Sequence, residues 1–252
     1  MSLEERIQEI IKNKKEVTPQ KSTLTTMTNH SLKDSSNCSI CSNTTWVPGE
    51  DGMVRCKCYK KQKTLRLWAN SGLTSDLKTK TFDAYKPYNK DTQRAKVIAA
   101  NYAKDFDHKS SIAFIGQVGS GKTHLALAIM LNLLGKNIGT IYFTYRQEVT
   151  RLKQNIMDDE IYQKEMSKFK NCQVLLIDDL FKGGKVTDAD IKIMFEIINH
   201  RYINAKPIII SSELTIDNLL DIDEAVGSRI YEMSREYLVE IRGKDNNYRM
   251  RG

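Results

Sequence analysis

The sequence predicts an α/β fold built on a parallel β-sheet in its C-terminal two thirds. From Ser111 onward, short apolar segments alternate with helical patterns, as expected of buried strands joined by helices. A glycine-rich loop and an acidic pair follow two of the strand candidates, at the sheet edge where parallel sheets bind ligands. The five strand candidates are SIAFIG, GTIYFTY, CQVLLID, PIIISS and YLVEI.

Helical patterns occur between and before these strands. KDTQRAKVIAANYAKDF (90–106) has an alanine-rich period of 3.6 residues, which predicts a helix. Thr187 is a suitable N-cap for a helix that ends near Tyr202. A further single helix is predicted across 216–235.

The N-terminal third differs from the rest of the chain. An amphipathic helix is predicted from about Leu3 to Lys15, followed by a polar Ser/Thr-rich linker. A basic helix through Trp68 precedes an irregular segment. We therefore predict two domains, an N-terminal domain at 1–74 and an α/β domain at 75–252.

Composition describes a soluble globular chain with 40% hydrophobic and 28% charged residues. No run approaches eighteen apolar residues and the N-terminus lacks a secretory pattern, so we expect a cytoplasmic protein without membrane contact. Residues 1–90 hold 16 Lys and Arg against 9 Asp and Glu, whereas residues 91–252 hold 23 against 22. The basic N-terminal third fits either a solvated helix or a contact surface for nucleic acid or an acidic protein.

The segment GQVGSGKT (116–123) matches the phosphate-binding pattern G-x-x-x-x-G-K-[ST]. Its glycines let the backbone aim successive N–H groups at phosphate oxygens, and the N-terminus of the following helix adds its dipole. Lys122 supplies positive charge, and the Thr123 hydroxyl can bind Mg²⁺. The pattern lies between a strand and a helix, so it predicts a nucleotide site formed by Gly116, Gly119, Ser120, Gly121, Lys122 and Thr123.

The strand VLLIDD (174–179) ends in two carboxylates at the edge where a parallel sheet binds ligands. Asp178 is placed to hold a metal, directly or through water, and Asp179 to polarise an attacking water. A strand ending in two aspartates is often only the start of a turn. Together with the upstream loop, however, the pair favours an ATP·Mg²⁺ site.

Four segments, GQVGSGKTH, LLIDDL, PIIISSELT and IDEAVGSRI, together resemble the AAA+ ATPases of the DnaC/DnaI helicase-loader and IstB-like family. The resemblance covers roughly residues 75–242 and is closest to loader-type proteins of Firmicutes and their phages, which also carry a cysteine-rich N-terminal domain. It implies an ATPase that escorts a hexameric replicative DNA helicase onto single-stranded DNA. It also implies the sheet order 5-1-4-3-2.

By position, the resemblance implies roles for individual residues. Lys122 and Thr123 match the nucleotide loop, and Asp178 and Asp179 match the metal-binding and water-activating acids. The shorter Asp179 stands where many AAA+ proteins have glutamate, which implies slow hydrolysis. Arg229 matches the arginine finger that reaches the γ-phosphate of a neighbouring subunit, which would link hydrolysis to self-association. The simpler alternative is a surface arginine on a helix.

The chain departs from the family at two places. Ser211-Ser212-Glu213 replaces the common Thr-Thr-Asn, and an ionised glutamate can only accept hydrogen bonds. Ser212 is therefore our candidate for the sensing role, with Glu213 contacting water or a partner. Only RGKDNNYRMRG follows the last strand, so no C-terminal lid domain is expected. Arg249 and Arg251 are candidates to replace the arginine of a lid, although a frayed terminus is the simpler expectation.

Four of the five cysteines lie in CSICSNTTWVPGEDGMVRCKC (38–58). Two close thiol pairs joined by a turn-rich segment can place four sulfurs around Zn²⁺, and disulfides are disfavoured in a cytosolic chain. We predict a structural zinc site, with an iron–sulfur cluster or free thiols as alternatives and His30 as a weak alternative ligand. Cys172 is predicted to be a buried core thiol. The predicted zinc ligands are Cys38, Cys41, Cys56 and Cys58.

The resemblance implies that the N-terminal domain docks onto the helicase. One face of the first helix (Leu3, Ile7, Ile10 and Ile11) is either a further contact with the helicase or packs within its own domain. Contacts with single-stranded DNA have weaker candidates. These are the aromatic and basic residues of the second strand and the FKGGK loop, for which sheet core and an ordinary turn are the alternatives. They are Tyr142, Phe143, Tyr145, Arg146, Lys182 and Lys185.

Two other functions compete with helicase loading. An IstB-like transposition ATPase would bind duplex DNA, but it would not need the four N-terminal cysteines. A nucleotide-switched inhibitor or adaptor would bind ATP, sequester the helicase and barely hydrolyse. Asp179 and Glu213 are compatible with the latter.

Overall fold

A computed structural model of the protein describes residues 38–250, which divide into two compact units between Arg66 and Leu67. The sequence predicts a boundary near residue 75. The predicted helix from Leu3 to Lys15, His30 and Arg251 lie outside the described residues.

The first unit is organised around a β-hairpin between the two cysteine pairs. Strands β1 (Trp46–Gly49) and β2 (Gly52–Arg55) pair antiparallel, and helix α1 (Cys58–Asn70) begins shortly afterwards. The Arg55 guanidinium lies 3.8 Å from the ring centre of Trp46 and 4.3 Å from that of Tyr59. These cation–π contacts connect the hairpin to the first turn of the helix.

The second unit contains the predicted parallel sheet. Its strands lie in the order β4-β5-β6-β3-β7, and every neighbouring pair is parallel. Numbered within this sheet alone, the order is 5-1-4-3-2 read from the other edge, so the predicted topology is confirmed. The strands are β3 (Ile112–Gly116), β4 (Thr140–Thr144), β5 (Val174–Asp178), β6 (Ile208–Ser211) and β7 (Leu238–Ile241).

The helices connect these strands largely as predicted. Thr187 caps its helix and forms a reciprocal capping box with Asp190. The single helix predicted over 216–235 is wrong. Asp223 adopts an extended conformation, and its carboxylate accepts a 2.7 Å hydrogen bond from the Val226 N–H, so a new helix begins there. The helices are α2 (Lys90–Lys104), α3 (Lys122–Gly135), α4 (Tyr145–Gln154), α5 (Asp159–Asn171), α6 (Asp188–Ile203), α7 (Ile216–Ile222) and α8 (Glu224–Ser234).

Both faces of the sheet are covered by apolar side chains. Along β3, Ala113 and Ile115 belong to one core cluster and Ile112 and Phe114 to the other, because successive side chains of a strand point to opposite faces. Helix α3 is apolar on nearly all sides and is almost entirely buried. No helix within residues 38–250 is long and apolar enough to cross a membrane.

A fully buried arginine connects α5 to two strands. The Arg201 guanidinium donates hydrogen bonds to five backbone carbonyls at the end of α5, at the residues before β5 and at Pro207 before β6. The cation also lies where the dipole of α5 is negative. The carbonyls of Phe169 and Pro207 belong to buried residues, and the hydrogen bonds they accept from Arg201, at 2.9 and 2.7 Å, are shorter than those from their other donors, at 3.5 and 3.4 Å.

We expect Arg201→Met to lower the free energy of unfolding by about 3 kcal/mol or more, since it leaves several buried acceptors unsatisfied. Chemical denaturation followed by circular dichroism measures this loss. Arg94→Met, on the exposed face of α2, is the control and should change stability by less than about 0.5 kcal/mol. A similar, small effect of both substitutions would contradict the role given to Arg201.

Candidate nucleotide-binding site

The glycine-rich loop leaves β3 in a conformation that requires glycine. Gly116, Gly119 and Gly121 have φ angles of +98°, +73° and +87°. A Cβ atom on Gly116 would lie 2.4 Å from the carbonyl oxygen of Ile241 on the neighbouring strand. The turn therefore needs both the backbone freedom and the small size of glycine at this point.

Lys122, the first residue of α3, folds back over this loop. Its Nζ donates to the carbonyl oxygens of Gly116 (2.9 Å) and Gln117 (2.6 Å). Burial lowers the pKa of Lys122 to about 8, although the nearby carboxylates of Glu213 and Asp179 act in the opposite direction. A nucleotide phosphate entering the loop would offer this buried ammonium charged oxygens in place of neutral carbonyls.

The Asp178 carboxylate accepts three side-chain hydrogen bonds. Thr123 Oγ1 donates to Oδ1 over 2.8 Å, the Tyr142 hydroxyl donates to Oδ2 over 2.7 Å, and the Ser211 hydroxyl also donates to Oδ1. The residue is almost fully buried. A carboxylate and a threonine hydroxyl side by side are the hard oxygen ligands that Mg²⁺ prefers, so Asp178 and Thr123 fit the predicted metal site.

Asp179 follows immediately and turns away from the strand with a φ of +55°. Partial burial and the adjacent Asp178 charge raise the pKa of its carboxyl group. Its Oδ2 lies 3.2 Å from Lys182 Nζ, and the same ammonium lies 2.8 Å from Glu213 Oε1. Glu213 therefore contacts a lysine of its own chain.

The geometry favours Ser211, and not Ser212, for contact with the acidic pair. Ser211 donates to Asp178 and accepts a 3.0 Å hydrogen bond from the Asp179 N–H. The Ser212 hydroxyl is fully buried, donates to the Leu180 carbonyl and accepts from the Leu214 N–H. Side chains alternate along a strand, so the two serines face different surroundings.

Arg229 lies on α8 and is held within its own subunit. Its Nε donates to Asn199 Oδ1 over 3.0 Å and its Nη1 to the Ala225 carbonyl over 2.8 Å, while its guanidinium lies over the rings of Phe195 and Tyr202. In the described part of the chain, none of these partners belongs to the phosphate loop or the acidic pair. Its role as an arginine finger stays a prediction.

The C-terminal segment is held against the phosphate loop through residue 250, so the expectation of a frayed tail is wrong for these residues. The Tyr248 N–H donates to the Gly119 carbonyl over 3.1 Å, and a Cβ on Gly119 would collide with Asn247 Oδ1. The Tyr88 hydroxyl donates to the Asn246 carbonyl over 2.6 Å. Arg249 therefore lies in a fixed turn beside the loop, and Arg251 is outside the described residues.

The four N-terminal cysteines form a cluster whose Sγ atoms all lie within 4.8 Å of one another. The distance is 3.8 Å between Cys38 and Cys56 and 3.4 Å between Cys41 and Cys58. Tetrahedral Zn–S bonds of about 2.3 Å place sulfurs roughly 3.8 Å apart, whereas a disulfide needs about 2.05 Å. The cluster therefore fits a bound metal.

Local hydrogen bonds act in opposite directions within this cluster. Backbone N–H groups of Cys41 and Ile40 lower the pKa of the Cys38 thiol, whereas burial and the neighbouring thiols raise the pKa of Cys58. Cys38 is therefore the thiol biased towards the thiolate, which is the form that binds metal. Cys172, by contrast, is only partly buried and packs against the core, where its sulfur accepts a hydrogen bond from Arg201.

The candidates for DNA contact divide between core and surface. Phe143 and Tyr145 are buried in the core, and the Tyr142 hydroxyl is bound to Asp178, so these rings do not form a stacking surface. Lys182 and Lys185, from the loop after β5, line a cavity of about 230 Å³ together with Arg146 and other residues. The basic candidates are thus brought together and the aromatic ones are not.

Comparisons with known proteins agree with this geometry. A sequence profile of the family described as IstB-like ATP binding protein matches residues 59–246. Phage-like element PBSX protein XkdC of Bacillus subtilis is 37% identical over 81% of this chain and 81% of its own length. The protein YqaM of the same organism is 41% identical over 75% of this chain, and the match spans 63% of YqaM.

Among solved structures, that of the DnaC helicase loader is similar to this chain, with a TM-score of 0.59 and 28% identity. The match covers 67% of this chain and all of that structure. The predicted AAA+ fold is therefore confirmed.

We expect Ser211→Ala to lower ATP turnover by about 10- to 100-fold, because it removes a hydrogen bond that orients a metal-binding carboxylate. Steady-state turnover measured against Mg²⁺ concentration should also show a raised Mg²⁺ requirement. Ser212→Ala is the matched control: it should lower thermal stability without changing the Mg²⁺ dependence. A loss of turnover confined to Ser212→Ala would instead support the sensing role predicted for that residue.

Proposed function

We propose that this chain, which belongs to the IstB-like ATP-binding protein family and is an ATPase of the AAA+ class, loads a hexameric replicative DNA helicase onto single-stranded DNA. The main support for this proposal is the nucleotide site at the edge of the sheet, in a domain whose fold matches the structure of the DnaC helicase loader over that structure's full length. The chain spans 63% of the length of YqaM and 81% of that of XkdC.

In this proposal, each site residue has a stated part. Lys122 and the loop N–H groups bind the phosphates, and Thr123 and Asp178 hold Mg²⁺, which neutralises charge on the phosphates. Asp179 orients the attacking water. The side chain of aspartate is one methylene shorter than that of glutamate, so water orientation is less favourable and turnover is slow.

The first unit supplies the proposed docking surface for the helicase. A zinc ion at the four cysteines would fold a segment too small to have a substantial core of its own. Around this cluster, large apolar side chains are exposed, which is typical of a protein contact surface. They are Ile40, Trp46, Met53 and Val54, with exposed fractions of 68%, 40%, 59% and 49%.

Single-stranded DNA is the second proposed partner. The cavity formed by the loop after β5 is lined by four cations, which are Arg146, Lys153, Lys182 and Lys185. Two of them, the lysines at 153 and 182, are paired with carboxylates, so Arg146 and Lys185 supply the positive charge for a phosphodiester backbone. Binding is expected to weaken steeply with salt.

Two alternatives remain as outcomes of the tests. A transposition ATPase would coat duplex DNA. The family description is compatible with this function, but the four-cysteine cluster has no part in it. A nucleotide-switched helicase inhibitor would bind the helicase and hydrolyse ATP negligibly even with DNA present.

We expect the zinc-loaded protein to form a complex with a hexameric replicative helicase from a matching host in ATP and Mg²⁺. Size-exclusion chromatography with light scattering measures its mass, and zinc content is measured on the same sample. Cys56→Ser, or removal of zinc by a chelator, should abolish the complex and leave ATP binding intact. Lack of any complex, combined with filaments on duplex DNA, would favour the transposition function instead.

Arg229→Ala should reduce ATP turnover about 10³-fold or more without weakening nucleotide binding, because a finger acts on the γ-phosphate of a neighbouring subunit. Mixing Arg229→Ala with Lys122→Ala should restore part of the turnover, since each subunit supplies what its neighbour lacks. Neither variant is active alone in this account. No recovery on mixing, or full activity of Arg229→Ala alone, would contradict the role of the finger.

A further inference from the structure

Two charged residues beside Asp179 have no part in nucleotide binding or hydrolysis as described so far, and the structure brings them together. They are Lys182 of the FKGGK loop and Glu213, which follows β6. The Lys182 ammonium lies between Glu213 Oε1 at 2.8 Å and Asp179 Oδ2 at 3.2 Å. The three side chains are 38%, 25% and 36% exposed, so the cluster is half-buried.

The backbone after β5 produces this bridge. Asp179 and Phe181 both have positive φ angles, of +55° and +58°, and the Lys182 N–H donates to the Asp179 carbonyl over 3.1 Å. The chain thus turns back on itself and returns the lysine to the acid three residues earlier. Positive φ angles in residues other than glycine are uncommon and are concentrated at functional sites.

A bridging ammonium has a direct chemical consequence for Asp179. The ammonium occupies Oδ2, one of the two oxygens able to accept a hydrogen bond from water. Glu213 holds the ammonium from the other side, so Asp179 alone does not determine its position.

We propose that Lys182 is a positioning residue that restrains ATP hydrolysis by holding Asp179 in an ion pair shared with Glu213. In this proposal Glu213, at the sensor position, holds Lys182 against Asp179 and does not take over the role of the asparagine that the family has there. This proposal rests on the role proposed above for Asp179.

The test is steady-state ATP turnover of the full chain without helicase or DNA. Lys182→Met keeps the aliphatic stem and removes the charge, and we expect kcat to rise about three- to tenfold with an unchanged KM for ATP. Lys192→Met removes the same charge from an exposed position on α6, outside the nucleotide site, and should leave kcat unchanged. An ion pair this exposed contributes little to stability, so both variants should fold.

Two further readouts separate a restraint from a merely structural contact. Glu213→Gln should raise kcat less than Lys182→Met and should add nothing in the double variant, because both substitutions act through one bridge. KM for ATP should stay unchanged in Glu213→Gln and in the double variant, because the bridge acts on the carboxylate oxygen that accepts from water; a merely structural loss would change KM together with kcat.

Unchanged or lower turnover in Lys182→Met would overturn the proposal, and a loss would instead make Lys182 a contact that assists the reaction. Asp179→Asn distinguishes this failure from that of the underlying role. If Asp179→Asn abolishes turnover while Lys182→Met does not raise it, only the restraint is wrong. If Asp179→Asn remains fully active, the role proposed for Asp179 is wrong as well.

Discussion

The Asp178 carboxylate is the point at which four elements of the ATPase unit meet. It lies at the end of β5 and accepts hydrogen bonds from Thr123 on α3, Tyr142 on β4 and Ser211 on β6. A carboxyl group buried this deeply needs several hydrogen-bond partners to offset its loss of hydration. The sheet order supplies them, because β5 lies between β4 and β6 and all three strands end at the same edge.

The same edge explains the position of the phosphate loop. Because β3 lies between β6 and β7, its last residue, Gly116, turns away against the Ile241 carbonyl and begins the loop. Helix α3 then starts with Lys122 and Thr123 facing the acids. Strand order thereby brings the phosphate loop and the Asp178 carboxylate together at one edge of the sheet.

Much of this could be predicted from sequence, because the signals are local. The loop pattern, the five apolar strands and the Thr187 cap each occur within a few residues of chain. Side-chain register could not be predicted in the same way. Ser211 and Ser212 differ by one position, and only the pairing of β6 with its neighbours determines which serine faces Asp178. By sequence, Tyr142 is a candidate for base stacking, but in the sheet its hydroxyl donates to the Asp178 carboxylate.

Some differences between the prediction and the structure could have been recognised from the sequence. Aspartate is a favoured N-cap residue, and Asp223, whose side chain accepts from the Val226 N–H, marks the break between α7 and α8. The C-terminal tail had no such signal, since its contacts with Tyr88 and Gly119 join segments more than a hundred residues apart. Long-range contacts of this kind depend on the completed fold.

In the function proposed above, slow hydrolysis keeps the ATP-bound state long enough for the helicase ring to be placed on DNA. The most direct test is helicase loading onto circular single-stranded DNA, which has no end for a ring to thread. A fluorescent oligonucleotide annealed to the circle should be displaced by the helicase only when this protein and ATP are present. Lys122→Ala should abolish that displacement. Equal displacement with and without the protein would contradict the loader account.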